Sequence, residues 1–278
     1  MTNNKMITIN SLSGGKTSSY MAVHYPADYN VFSLVCIEDK KSVPKDKKIT
    51  QMVSDKLNTD FIATAESDKT LKVILDLEQK IQKEINWVSG DSFEKVITKK
   101  NFLPNVMMRF CTSEMKMKPI FEFCQNEIKS PVLMNIGFRF DEKERGERNK
   151  DNTHFKTITG KSKNVKRNKW SEIYWRELNF PLIDNRIVNA DVIKWAKSSG
   201  LVFPNDSNCV GCFHKPIQQL RKNWEDEPLK MQWFSDQEEK MNKKFKKEMS
   251  YKDIKEVGLQ KQFYFGTGAG CQAGFCTD

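Results

Sequence analysis

The chain has 278 residues, 38% of them hydrophobic and 29% charged, which is enough apolar material for one full-sized core and a smaller appendage. Its formal net charge of +10 favours anionic partners such as nucleotides, phosphates or nucleic acid. No apolar run reaches the roughly 18 residues of a membrane helix, and no signal core follows Met1 to Lys5, so we expect a cytoplasmic protein without a membrane partner.

The first half of the chain alternates between strand-like and helix-like patterns. Two apolar stretches, residues 6–10 and 30–37, predict buried strands, and the helical pattern between them over residues 17–25 stops at Pro26. The next predicted elements are a helix over 50–57, a third strand over 61–65 and a helical stripe from Leu71 to Ile85. This alternation favours an α/β fold with a parallel sheet.

The second half contains a long polar stretch between further predicted elements. These elements are a helix over 119–126, an apolar strand over 132–136, a helix over 190–199 capped by Asn189, and a charged surface helix over 230–247. Residues 143–170 are polar and basic and lack apolar periodicity, which indicates a mobile excursion. The role of the basic residues within 156–169 stays open at this point.

The segment between the first strand and the first helix has the composition of a phosphate-binding loop. Gly14 and Gly15 let the backbone turn tightly and approach an anion, and the amides at the following helix N-terminus donate to it. The loop also supplies a cation and three hydroxyl groups, those of Lys16, Ser13, Thr17 and Ser18. A Walker A loop would need a glycine where Asn10 stands, so that pattern fails. A plain strand-to-helix turn is the simpler alternative.

The sequence Ser-Gly-Gly-Lys-Thr-Ser at residues 13–18 resembles the PP-loop of the ATP pyrophosphatase superfamily. Further motifs narrow the resemblance, over roughly residues 6–216, to the phosphoadenosine phosphosulfate (PAPS) reductase-like family. They are Arg109-Phe110-Cys111-Thr112 with Lys116, Lys118 and Pro119; Gly137-Phe138-Arg139-Phe140-Asp141-Glu142 with Arg145; Pro181-Leu182-Ile183-Asp184; and Cys209-Val210-Gly211-Cys212. The resemblance implies a Rossmann-like, doubly wound parallel sheet (adenine nucleotide alpha hydrolase-like) over residues 1–200, with a smaller helical, cysteine-bearing region over residues 201–278.

These motifs define a set of candidate nucleotide-binding residues. The set is Ser13, Gly14, Gly15, Lys16, Thr17, Ser18, Glu38, Asp39, Arg109, Gly137 and Arg139. The guanidinium groups of Arg109 and Arg139 suit bidentate contacts with phosphate or sulfate oxygens. By resemblance, the segment with Glu38 and Asp39 meets the nucleoside, although either carboxylate could simply be solvated. Lys16 and Arg139 are the candidates for stabilising charge during catalysis.

Three cysteines are candidate ligands of a metal or cluster. Cys209 and Cys212 lie on one tight turn, which suits a metal, an iron-sulfur cluster or a redox disulfide. Cys111 lies 98 residues upstream of Cys209 (209 − 111), a spacing that resembles relatives with a 4Fe-4S cluster. Those relatives have adjacent cysteines upstream, whereas Phe110 precedes Cys111 here, so the fourth ligand must come from elsewhere. Cys271 or Cys276 could supply it, with Cys271 as the chosen candidate, and an open iron position or a zinc site is the alternative.

The C-terminal segment is rich in glycine and carries Cys271 and Cys276. A thiolate on such a tail could attack a sulfonucleotide, so Cys276 is a candidate catalytic nucleophile. The glutamate-cysteine-glycine-x-histidine motif of the family's reductases is absent, and a tail without catalytic function is the alternative. Cys36 and Cys124 lie in apolar elements and are predicted core residues.

Three functions compete on these observations. The first is an enzyme that binds ATP, splits it between the α and β phosphates with the help of Mg²⁺, and adenylates an acceptor for sulfur transfer. The second is a PAPS or adenylyl sulfate reductase that uses a tail cysteine. The third is a tRNA- or DNA-binding or thiolating protein, in which nucleic acid or a sulfur carrier is the partner. The sequence indicates no oligomeric state.

Overall fold

Five parallel strands form the central sheet of the protein. The computed structural model describes residues 6–161, 168–205 and 207–259. Its strands are β1 (Thr8–Leu12), β2 (Tyr29–Leu34), β3 (Cys36–Ile37), β4 (Ala63–Thr64), β5 (Ile85–Ser89), β6 (Val132–Asn135), β7 (His154–Lys161), β8 (Asn168–Tyr174) and β9 (Arg176–Asn179). The central sheet has the order β5-β2-β1-β6-β9, and each neighbouring pair in it is parallel. The predicted α/β class with a parallel sheet is therefore confirmed.

Helices flank this sheet and fill the C-terminal region. The α-helices are α1 (Lys16–His24), α2 (Lys47–Leu57), α3 (Asp68–Ile81), α4 (Phe93–Lys100), α5 (Phe110–Thr112), α6 (Lys118–Phe123), α7 (Lys143–Asn149), α8 (Pro181–Asp184), α9 (Asn189–Ser198), α10 (Ile217–Asp226), α11 (Pro228–Met241) and α12 (Tyr251–Glu256). The π-helical segment Ser113–Met117 joins α5 to α6, and a second one, Cys124–Ile128, follows α6, so that residues 110–128 form one continuous helical stretch. Short 3₁₀ turns occupy Lys40–Ser42 and Phe140–Glu142. No helix in the described ranges has the length and apolar character of a membrane span.

The strand order contains a reversal beside β1. The chain builds outward from β1 through β2 to β5, and then returns to place β6 and β9 on the other side of β1. In open α/β sheets, ligands bind outside the carboxyl ends of the strands at the point where the strand order reverses. The segments that follow β1 and β6 therefore lie where a ligand crevice is expected.

Both faces of the central sheet are covered. Ile9 and Val31 point into one hydrophobic cluster, whereas Leu12 and Phe32, which follow on the same strands, belong to another. Helix α6 contributes to the first cluster and helix α3 to the second. Burial on both faces explains why β2 reads as a nearly continuous apolar run.

Two local predictions in the first half need correction. The strand predicted over residues 61–65 is the short β4, which pairs antiparallel with β3 and lies outside the central sheet. The helical stripe predicted to reach Ile85 ends with α3, because Gln82 adopts a left-handed conformation with φ of 49°, and Ile85 begins β5 instead. Ile85 is apolar because it is buried as part of the central sheet, so its agreement with the helical spacing of the preceding residues is a coincidence.

Three predictions in the second half also need correction. The excursion predicted over residues 143–170 contains helix α7 and an antiparallel hairpin of β7 and β8, while residues 162–167 lie outside the described ranges. Asn189 is the first residue of α9, and Val188 stands at the capping position. The surface helix predicted over 230–247 ends at Met241, and Lys230 within it is only 3% exposed.

The described part of the predicted C-terminal region packs directly against the sheet-bearing part. Phe213, Trp224 and Phe234 share one hydrophobic cluster with Val35 and Phe93. This common core holds the Cys209–Cys212 turn close to the elements that follow the central strands. The division at residue 200 stays a prediction.

Candidate functional site

The loop between β1 and α1 is closed by its own hydroxyl groups. The Ser13 amide donates to Ser18 Oγ at 3.2 Å, and the two serine Oγ atoms are 3.1 Å apart. Ser18 Oγ also donates to the Gly15 carbonyl at 3.2 Å. Gly15 stands immediately before α1, so the amides of the first helical turn open toward the loop. The loop thus has the form of an anion-binding turn at a helix N-terminus.

The two glycines of the loop permit close packing from outside. Gly14 has φ of +71°, and a Cβ atom placed there would lie 2.5 Å from Thr70 Cγ2 on α3. A Cβ atom on Gly15 would lie 2.7 Å from Ser207 Oγ, and Ser207 Oγ is 3.5 Å from Ser13 Oγ. Helix α3 and the segment at Ser207 therefore press on the loop, which explains the need for both glycines.

Replacing Gly14 with alanine is expected to destabilise the protein more than the same change at Gly200. Gly200 has a similar φ of +78°, but a Cβ atom there would meet no other atom within 4 Å. The Gly200→Ala variant should lose about 1–2 kcal/mol of unfolding free energy from backbone strain alone. Gly14→Ala should lose about 1–3 kcal/mol more from the overlap with Thr70. Urea denaturation of both variants measures the difference.

A second substitution separates the overlap from the strain. Thr70→Ser removes Cγ2, so adding it to Gly14→Ala should restore most of the extra loss. Equal stability of Gly14→Ala and Gly200→Ala would contradict the packing of α3 against the loop.

Arg139 reaches the loop from the end of β6. Its Nη1 donates to Thr17 Oγ1 at 3.1 Å, and its guanidinium forms ion pairs at 3.2 Å with both Asp141 and Glu142. Glu142 also pairs with Arg145 at 2.9 Å, and the Arg145 guanidinium lies 4.3 Å from the ring centroid of Phe138. The two acidic residues hold Arg139 in place, with one of its nitrogen atoms at the start of α1.

The predicted residues Glu38, Asp39 and Arg109 have other local contacts. Glu38 accepts a hydrogen bond from Ser92 Oγ at 2.7 Å, and this bond is the main cause that lowers the pKa of Glu38. Asp39 accepts from Ser42 Oγ at 2.6 Å and caps the 3₁₀ turn Lys40–Ser42. Arg109 Nε donates to the Val106 carbonyl at 3.4 Å. Among the described residues, no hydrogen bond of Glu38 or Asp39 reaches residues 13–18.

Cys111, Cys209 and Cys212 line one pocket between the sheet and the C-terminal helices. The Cys212 amide donates to the Cys209 carbonyl at 3.0 Å, which closes the turn, and the Val210 amide donates to the Ala65 carbonyl at 2.7 Å. Phe234 leaves no room for a side chain at position 211, because a Cβ atom there would overlap its ring. The structure therefore brings together the three described cysteines of the predicted ligand set.

Burial governs the chemistry of these thiols. Burial raises the pKa of Cys209 well above its ordinary value, while nearby Lys116 acts in the opposite direction. A protonated thiol in such a place is unreactive, and a bound metal would supply the positive charge that a thiolate needs there.

Metal binding by these three cysteines stays a prediction. Within residues 6–161, 168–205 and 207–259, no three cysteine, histidine, aspartate or glutamate side chains are placed to hold one metal ion. A four-iron cluster binds each thiolate at a different iron, so its ligands surround a larger body than one ion. Three partly buried thiols around one pocket are ligands of a kind that both zinc and an iron-sulfur cluster accept.

Buried charged residues connect this pocket to the region of the loop. The Glu66 side chain is fully buried, and Lys116, which lines the pocket, donates to its Oε1 at 2.8 Å. Lys230 donates to the Glu66 carbonyl oxygen and, at 2.6 Å, to Asp68 Oδ1 at the start of α3. Burial is the main cause that raises the pKa of Glu66, against the effect of Lys116. Sequence reasoning missed Glu66, although its place directly after a predicted strand was a usable signal.

The remaining cysteines fall into two groups. Cys124 is fully buried, as predicted for a core residue, and Cys36 packs partly buried against the cluster that contains Phe32. Burial raises the pKa of each thiol to about 12, which suits an unreactive role. Cys271 and Cys276 lie outside the described residues, so their predicted roles stay predictions.

Comparisons of the chain with protein-family models, with curated proteins and with solved structures each returned no match. The resemblance to the PAPS reductase-like family therefore depends on the motifs themselves. What the structure adds is their arrangement in space.

Proposed function

We propose that the protein is a PAPS reductase-like PP-loop enzyme that binds ATP or a related adenine nucleotide and adenylates an acceptor, with release of pyrophosphate, in sulfur-transfer chemistry. One arrangement carries this proposal. The loop at residues 13–18 follows the central strand β1 at the reversal of strand order, and Arg139 from the end of β6 contacts Thr17 in it. Two motifs that are distant in sequence thus meet at the sheet edge where α/β folds bind nucleotides.

The residues of this crevice have distinct roles in the proposed reaction. Amides at the start of α1 and the hydroxyls of Ser13 and Thr17 bind phosphate oxygens. Lys16 and Arg139 stabilise the negative charge that develops between the α and β phosphates. A magnesium ion, when bound with the nucleotide, supplies further charge neutralisation on the phosphates. The adenylated acceptor then becomes open to attack by sulfur.

The thiol pocket is the proposed place of the sulfur chemistry. Cys111, Cys209 and Cys212 would hold a 4Fe-4S cluster, with Cys271 as the proposed fourth ligand and zinc as the alternative occupant. Such a cluster supplies iron that can bind sulfide or transfer electrons. The apolar surroundings of the pocket exclude water from the thiolates, and Lys116 offsets part of their charge.

Pyrophosphate release from ATP labelled in the β and γ phosphates tests this proposal. The wild-type protein, supplied with candidate acceptors and a sulfide source, should release labelled pyrophosphate together with AMP. Lys16→Ala should lower this rate about 10²- to 10³-fold, because a charge that stabilises the transition state is lost. Lys47 is also the first residue of its helix, α2, and is exposed, so Lys47→Ala serves as the matched control and should keep the full rate.

The same preparations distinguish the competing reductase function. Sulfite release from a sulfonucleotide, lost in Cys276→Ser, would contradict adenylation and support reduction. Absence of ATP binding in the wild-type protein would contradict adenylation, and absence of binding to ATP and to sulfonucleotides alike would contradict both nucleotide functions.

A further inference from the structure

Ser207 contacts the loop at residues 13–18 from the C-terminal region. Its side chain is 6% exposed, and its Oγ atom lies 3.5 Å from Ser13 Oγ. Hydroxyl groups that share a hydrogen bond are typically about 2.5–3.0 Å apart, so this contact is weak as a hydrogen bond. Ser207 therefore acts on the loop mainly through van der Waals contact.

Gly15 shows how close this contact is. Its φ of −92° and ψ of 166° are extended values that any residue adopts, so its backbone conformation does not require glycine. A Cβ atom at this position, however, would lie 2.7 Å from Ser207 Oγ and 3.1 Å from Ser207 Cβ. The close approach of Ser207 is thus a reason for glycine at position 15, whereas Gly14 also has a positive φ of 71°.

Packing of the C-terminal region holds Ser207 in this place. The Val210 amide donates to the carbonyl of Ala65, directly after β4, at 2.7 Å, and Asn223 Nδ2 on α10 donates to the Val210 carbonyl at 2.7 Å. Val210 is 3% exposed and belongs to the hydrophobic cluster that both parts of the chain share. Because the chain is tied to the core three residues after Ser207, that side chain cannot move far from the loop.

We propose that Ser207 is a positioning residue of the loop: it fixes the Gly15 backbone, and with it the first amides of α1, in the conformation that binds phosphate. The inference rests on the proposed function, because it concerns the affinity of the same loop for a nucleotide. A binding site that is already ordered loses less conformational freedom when its ligand binds, and this raises the affinity. Nucleotide affinity therefore depends on a residue that stands two positions before Cys209.

Isothermal titration calorimetry with ATP and Mg²⁺ tests this inference on the full chain. Ser207→Gly removes both atoms that approach Gly15 and should weaken ATP binding about 3- to 10-fold, because the ligand must then order the loop. Gly15→Ala adds a methyl group against Ser207 and should weaken binding about 10-fold or more. The double variant, Gly15→Ala with Ser207→Gly, has room for this methyl group and should bind ATP more tightly than Gly15→Ala alone.

The opposite signs of these effects separate positioning from a general loss of stability. Ser207→Gly should weaken binding when Gly15 is present and strengthen it in the Gly15→Ala background, which added chain flexibility alone cannot do. Circular dichroism at the titration temperature checks that each variant is folded. Gly258→Ala is the control for an added methyl group, because a Cβ atom there would meet no atom of the described residues within 4 Å, and it should bind ATP like the wild-type protein.

Two outcomes would overturn the inference while the proposed function stands. Wild-type ATP affinity in Ser207→Gly would mean that the side chain does not position the loop. A double variant that binds ATP no more tightly than Gly15→Ala would mean that the two residues do not act on each other at the site. A wild-type protein that binds no ATP would contradict the proposed function and this inference together, and it differs from the other outcomes because binding is then absent before any substitution.

Discussion

Replacing Lys116 with methionine is expected to lower the free energy of unfolding by about 3–5 kcal/mol, one of the largest effects of any single substitution in this protein. The reason is that Glu66 is completely buried and that Lys116 donates to it at 2.8 Å. Without Lys116, the carboxylate stays buried with less compensating charge, and such a charge is costly in an apolar interior. Urea denaturation at neutral pH measures the loss.

A double substitution and an exposed ion pair are the controls. Lys116→Met together with Glu66→Gln removes both charges and should be more stable than Lys116→Met alone. Lys118 and Glu122 form an exposed pair at 3.7 Å, and Lys118→Met should cost less than about 0.5 kcal/mol. If the double variant were no more stable than Lys116→Met, the proposed electrostatic cause would be wrong.

The stability deficit of Lys116→Met should also depend on pH. Burial raises the folded-state pKa of Glu66 above the 4.5 of an ordinary glutamate, and removal of Lys116 removes an effect that lowers it. A raised folded pKa means that the folded state binds the proton more tightly than the unfolded state does. The stability deficit of Lys116→Met relative to wild type should therefore be largest at higher pH. It should shrink as the pH falls through the folded-state pKa of Glu66 toward 4.5, because the protonated side chain carries no charge.

Local sequence signals predicted the loop and its partner well. Two glycines directly after a short apolar strand require a tight turn, and Gly14 does adopt the positive φ that only glycine tolerates easily. Arg139 was placed at a sheet edge because a glycine and an apolar strand precede it, and its contact with Thr17 agrees with that placement. Both inferences depend on residues that are close together in the sequence, so they could be made without the structure.

Long-range packing decided what the sequence could not predict. Lys230 reads as part of a charged surface helix, but it is buried because it donates to Asp68, which is far away in sequence. The β7–β8 hairpin has exposed polar residues on most of its length, so its strand pattern is weak, and Phe155 and Ile173 anchor it. Partners of this kind become visible only after the chain is folded.

The two halves of the candidate site are joined by direct contacts. Ser207, just before the Cys209–Cys212 turn, lies against the loop at residues 13–18 through Ser13 and Gly15. On the other side, Lys230 of the C-terminal region binds the start of α3, whose Thr70 packs on Gly14. A shift in the cysteine turn would therefore change the packing of the loop, which is the coupling that the proposed function needs.

Anaerobically purified protein is expected to contain iron and acid-labile sulfide and to absorb visible light, and Cys209→Ser should lose all three. Cys209 is one of three thiols that line a common pocket, and a serine hydroxyl is a much poorer ligand of iron-sulfur iron than a thiolate. Cys111→Ser should behave like Cys209→Ser. Cys271→Ser tests the fourth position, and a partial loss of iron there would identify the tail as a contributor.

Cys36→Ala is the control for this experiment, because Cys36 packs against a different hydrophobic cluster. It should keep the iron, the sulfide and the absorption of the wild-type protein. If the wild-type protein contained zinc and no sulfide, and Cys209→Ser lost the zinc, the pocket would hold a structural metal and no cluster. The sulfur would then have to come from another donor. If the wild-type protein contained no iron and no zinc, metal binding at this pocket would be contradicted. The three cysteines would then be free of metal, and the proposed nucleotide site would still be judged by the pyrophosphate experiment alone.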